Sequence, residues 1–78
     1  MNNQSIINNI LKKLKGREDI PKDNLIRSGF LDSFDMIKLV DEIARECNVT
    51  IDGKDITEEN FNSVKAIAEL VEKAKTPQ

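Results

Sequence analysis

Three apolar stripes with the period of an α-helix limit what this chain can fold into. Ile7, Ile10, Leu11 and Leu14 recur at helical spacing over roughly residues 3–15, with Ile6 at the edge of the stripe. Met36, Leu39, Val40, Ile43 and Cys47 repeat the pattern over about 33–47, and Val64, Ile67, Ala68 and Val71 over about 64–74. Each stripe covers one side of its helix, so each helix gains most of its stability by burying that side against the others. A short fourth helix is expected over about 57–62, with Thr57 as its cap and Glu58 and Glu59 in its first turn. Ser63 stands where it can cap the last helix. Val49–Ile51 is too short to count as a strand. The expected fold class is therefore all-α: a small bundle of three longer helices and one short one.

Lys12, Lys13 and Lys15 suit the negative end of the first helix, and Gly16 is a plausible stop. Residues 16–32 then read as a long loop, broken by Pro21 and Gly29. A long loop in a small domain is usually functional or disordered. Ile20, Leu25, Ile26, Phe30 and Leu31 run through this one, which argues that it is pinned to the core. With 78 residues there is material for one domain, spanning 1–78 with an ordered core of about 4–74. The aromatics are Phe30, Phe34 and Phe61, so the core rests mainly on Ile, Leu, Val and Ala.

Composition narrows the chemistry. There is no histidine, which removes the commonest general base and metal ligand. One cysteine and scattered carboxylates do not make a zinc site, and no glycine-rich phosphate loop is present. The chain is not expected to be an enzyme. A net charge of −2, with no basic tract interleaved with aromatics, gives no support to nucleic-acid binding. No apolar run is long enough to cross a bilayer, and the polar start of the chain lacks a signal-peptide pattern, so a cytoplasmic monomer is expected. Cys47 reads as a small core hydrophobe rather than a nucleophile. Residues 52–61 bear some likeness to a calcium-binding loop; placing Gly53 at the sixth position puts Asn48, Thr50 and Asp52 at ligand positions one, three and five, and Glu59 at twelve. Thr50 is a poor ligand there and Asp55 replaces the usual apolar residue, so a polar turn is the better reading.

The informative stretch is Gly29-Phe30-Leu31-Asp32-Ser33-Phe34-Asp35-Met36-Ile37-Lys38-Leu39-Val40. Gly29 can take a positive φ and turn the loop sharply into the second helix. Asp32 and Ser33 both suit a helix N-terminus, and Asp35 falls in the first turn. Ordinary capping would explain these residues alone. Phe34, however, lies on the order of 150° from the centre of the buried stripe, and Ile37 about 90°. Two exposed apolar residues within about one turn of a polar handle suggest a docking surface.

This stretch resembles the modification motif of the acyl carrier protein family, Asp-Ser-Leu/Phe followed by an apolar helix. The similarity runs from about Leu25 to Val71, and Ile51 through Leu70 matches the family's short third helix and its final helix. The resemblance implies a four-helix bundle of acyl-carrier-protein type. It further implies that a phosphopantetheinyl transferase attaches 4′-phosphopantetheine, drawn from coenzyme A, to the Ser33 hydroxyl, with Asp32 assisting modification. Acyl or aminoacyl groups would then ride on the arm as thioesters. They would be delivered by an adenylating or acyltransferase loading enzyme and taken up by downstream synthases. Phe34, Ile37, Lys38 and Asp41 would form part of the surface those partners read. Fatty-acid carriers usually have Glu where Lys38 stands, and a strongly acidic second helix. Here Asp35, Asp41, Glu42 and Glu46 are interrupted by Lys38 and Arg45. That departure points to a specialised carrier rather than the housekeeping one of fatty acid synthesis. D-alanyl carriers of cell-wall modification and peptidyl carriers are similar too, and an unmodified helical adaptor with the same fold is the alternative from another class.

Overall fold

The first stripe folds as α1, Asn3–Lys15, in a computed structural model that describes residues 3–75. The ends of the domain expected over 1–78, residues 1–2 and 76–78, lie outside the described residues. Gly16 stops α1 at φ +64°, a left-handed conformation that glycine adopts without penalty. The Arg17 N–H then donates to the Lys12 carbonyl at 3.2 Å, closing a Schellman-type end. The second stripe becomes α2, Ser33–Cys47, which ends at Asn48 in the same left-handed region, φ 55°. Asparagine is one of the few residues other than glycine that tolerate it.

The short helix is α3, Glu58–Phe61, and the last is α4, Val64–Lys75. Both expected caps are present. Thr57 Oγ1 accepts from the Asn60 N–H at 3.2 Å, and Ser63 Oγ accepts from the Ala66 N–H at 3.0 Å. Ahead of α3, where a polar turn is expected, the chain makes a 3₁₀ turn, Gly53–Asp55. Asp52 caps it by accepting from the Lys54 N–H. The same carboxylate stands at ligand position five of the calcium-loop alignment. Among the described residues no cluster of His, Cys, Asp or Glu is gathered for a metal.

α1 packs against both α4 and α2, and α3 packs against α4. Their stripes meet in one core that includes Ile7, Leu11, Leu39, Ile43, Ile67 and Val71, with Phe61 fully buried among them. The described residues are helical apart from loops and turns, so the chain is an all-α four-helix bundle of carrier type. Met36, Val40 and Cys47 are only half-buried against this core, and Leu39 and Ile43 carry the centre of the α2 stripe.

The loop between α1 and α2 is tied down at both side chains and backbone. Leu25 and Leu31 are buried, Phe30 nearly so, and Ile20 and Ile26 pack on the core. A buried leucine contributes about 1.5–3 kcal/mol, enough for a few anchors to offset the slowly growing entropy of closing a long loop. The backbone adds specific ties. Asn62 accepts from Leu25 N–H through its carbonyl at 2.9 Å and from Ile26 N–H through its side-chain oxygen at 3.1 Å. Val64 N–H donates to the Lys22 carbonyl at 3.1 Å. Within the loop, the Ser28 N–H donates to the Asn24 carbonyl and the Leu31 N–H to the Leu25 carbonyl, both at 2.8 Å. These bonds fold the chain into a tight turn that Gly29 completes at φ +84°. The turn delivers the chain to the start of α2.

Candidate functional site

The site is the N-terminus of α2, and its first question is which residue caps the helix. Asp32 does. Its extended backbone (φ −109°, ψ −175°) stands just outside the helix, and its Oδ1 accepts from the Asp35 N–H at 2.8 Å. Asp35 returns the bond: its Oδ2 accepts from the Asp32 N–H at 3.3 Å. The result is a capping box built from two aspartates. Ser33 is thereby the first helical residue rather than the cap. Its side chain is exposed, and among the described residues no hydrogen bond engages its hydroxyl. Both residues suited a cap in the sequence; the structure separates their roles.

Two aspartates in contact at a helix start need a positive counterpart beyond the helix dipole. Lys15, the last residue of α1, supplies it. Its Nζ lies 2.8 Å from Asp35 Oδ2, with 25% of the Lys15 side chain and 15% of the Asp35 side chain exposed. The Lys15 hydrogen bond holds the Asp35 carboxyl below the usual carboxylate range; desolvation opposes this, and the Asp32 N–H reinforces it. Lys15 also sits over the Phe30 ring, 5.3 Å from its centroid, with the Arg17 guanidinium at 5.4 Å. The sequence showed Lys15 only as a dipole complement. Its reach to α2 depends on how two helix ends meet in space, which periodicity does not encode.

Beyond Ser33, α2 presents the expected apolar pair. Phe34 is 63% exposed and Ile37 65%. The loop between α1 and α2 does not fold over either. Phe34 is nevertheless not a bare ring, because the Lys38 ammonium lies 4.3 Å from its centroid. Phe34 and Lys38 are four residues apart and so share a helix face. Asp41, seven residues after Phe34, falls on the same side of the helix, and its carboxylate pairs with Arg45 at 3.0 Å, while the same guanidinium lies 3.7 Å from Glu42. Glu46 is within 4.0 Å of Lys13. The acidic residues of α2 are thus largely matched by cations of this chain. Phe34, Ile37 and Lys38 form an apolar patch with one positive charge beside Ser33.

What this arrangement offers is an accessible hydroxyl at the start of a long helix, with a carboxylate beside it. A group attached there would project into solvent. The free N–H groups of the first helical turn favour an anion such as a phosphodiester. The residues present therefore fit a phosphate-linked arm on Ser33, with Asp32 its anionic neighbour.

Comparison with known proteins agrees with this geometry. No curated protein matches the chain. The family model described as a phosphopantetheine attachment site matches residues 4–71. That span takes in all of α2 and α3, nearly all of α1 and most of α4. The chain therefore belongs to the family of phosphopantetheine-binding carriers of the acyl carrier type, whose cofactor is held covalently.

Proposed function

We propose that 4′-phosphopantetheine is attached to Ser33, and that this domain carries acyl or aminoacyl groups as thioesters on the arm's terminal thiol. The observation that carries the reading is the division of labour at the start of α2. Asp32 and Asp35 close the cap between them, which leaves the Ser33 hydroxyl exposed and without a hydrogen-bond partner among the described residues. The chain holds no histidine to activate that hydroxyl, so activation belongs to the transferase. Asp32 still has one carboxylate oxygen outside the capping box, with which it would assist the transferase. The protein's part is to present the arm; the thiol does the thioester chemistry.

The pathway we favour is a specialised one. Acidic helix faces steer carriers towards basic patches on their enzymes. On α2 those acids are matched by Arg45 and Lys13, and Lys38 puts a cation over Phe34, the neighbour of Ser33. Phe34, Ile37, Lys38 and Asp41 would then favour an adenylating or acyltransferase partner other than those of fatty acid synthesis. D-alanyl and peptidyl carriers remain within this reading.

The test is intact mass after incubation with coenzyme A and a promiscuous phosphopantetheinyl transferase. Wild type should gain one arm, and Ser33→Ala none. An equal gain in Ser33→Ala would move the site elsewhere. No gain in wild type with several transferases would favour the unmodified adaptor.

A further inference from the structure

The ion pairs of α1 are unequal. Lys12–Glu18 and Lys13–Glu46 span 3.9 and 4.0 Å, each with one partner largely exposed. Such pairs contribute roughly 0–1 kcal/mol. Lys15–Asp35 is 2.8 Å, and both side chains are mostly shielded. It is also the one that ends beside Ser33. Asp35 Oδ2 accepts from Lys15 and from the Asp32 N–H. The Lys15 ammonium therefore fixes the side chain that closes the capping box. The ammonium's place over the Phe30 ring fixes it in turn, because that ring is buried two residues before Asp32.

We infer that Lys15 is a positioning residue for loading at Ser33: through Asp35 and Asp32 it locks the first turn of α2, and so holds the Ser33 hydroxyl in the orientation the transferase uses. The inference rests on Ser33 being the attachment site. Without the ammonium, Asp35 would be free to leave the Asp32 N–H for water. The first turn would then sample other geometries, with Ser33 moving as part of it. Catalysis is sensitive to small misplacements of a reacting atom. Binding of the whole carrier depends instead on the face of α2 that bears Phe34, Ile37 and Lys38, whereas the contact of Lys15 with this helix is at Asp35.

The experiment measures kcat and KM for transferase loading of wild type, Lys15→Met, Lys15→Arg, Asp35→Asn and the Lys15→Met/Asp35→Asn pair. The temperature is chosen so that circular dichroism shows every variant folded. Lys15→Met should lower kcat about tenfold with KM little changed, and Lys15→Arg should restore most of it. The double variant should be little worse than either single, because the two residues act as one unit. Amide exchange gives a readout free of the transferase: the Asp32 N–H should exchange faster in Lys15→Met. Ile51→Val, a core change outside this site, serves as a stability control. Wild-type kcat in Lys15→Met, or an equal loss in an equally destabilised control, overturns the positioning role and leaves Ser33 as the site. Loading of Ser33→Ala, or none in wild type, overturns both.

Discussion

At the residue scale, substitution can separate the cap that Asp32 forms from the part in modification proposed for it. Asp32→Ala removes the cap and should cost about 1 kcal/mol in urea denaturation, along with loading rate. Asp32→Asn keeps a good capping side chain, so its stability should stay near wild type while loading falls. If Asp32→Asn loads normally, its charge has no part in modification. Ser33→Ala should change stability by less than about 0.5 kcal/mol, because the hydroxyl is exposed and Asp32 supplies the cap. Lys38→Glu should likewise leave the fold intact and alter which loading enzymes accept the carrier, as read by acylation of the arm. An unchanged partner set would remove Lys38 from the recognition surface. Much of this was legible in the residues. Asp32, Ser33 and the exposed Phe34 follow from local chemistry and helical phase. Lys38 lying over Phe34 did not, although a cation four residues after an aromatic on one helix is a signal that could have found it.

At the scale of elements, the capping box and the Lys15 bridge join the end of α1 to the start of α2, and that joint responds to acid. Asp35 is held below its ordinary value, about 3.9, by Lys15. A depressed carboxyl stabilises the fold above its unfolded-state pKa, and that stability is lost as pH falls through the lower folded-state value. Wild type should therefore lose stability as pH drops below about 4. Lys15→Met should be less stable at neutral pH and should show a shallower acid limb in denaturation profiles. Identical limbs would mean that the bridge contributes nothing. Helix positions and the caps Thr57 and Ser63 could be read from spacing and residue type, and Asp32 as one of two candidates beside Ser33. The joint could not, because residues 15 and 35 are separated by a loop whose path is set by tertiary anchors. Even so, Leu25, Phe30 and Leu31 announced that the loop was anchored, and Gly29 announced its last turn. Gly29→Ala should cost about 1–2 kcal/mol from its positive φ alone, since a Cβ there meets nothing within 4 Å.

For the whole molecule, a core with few aromatics concentrates stability in a handful of side chains. Phe61 is fully buried where α3 packs on α4. Phe61→Ala should cost about 3–5 kcal/mol, a large share of the total for a domain this small. Thermal melts should show the variant largely unfolded at temperatures where wild type is native. The bundle could be foreseen from its stripes, whereas the clasp at Asn62 could not: an asparagine ending a short helix carries no sign of which distant amide it will meet. That clasp has a consequence for the order of events during synthesis. Asn62 and the backbone of Val64 hold Leu25, Ile26 and Lys22, and the side-chain bond alone spans 36 residues. The turn leading into Ser33 thus waits for residues 62–64 to leave the ribosome. A transferase that needs a rigid approach to Ser33 would meet it only after residues 62–64 have joined the fold, so the proposed arm attachment would double as a check that this clasp has closed.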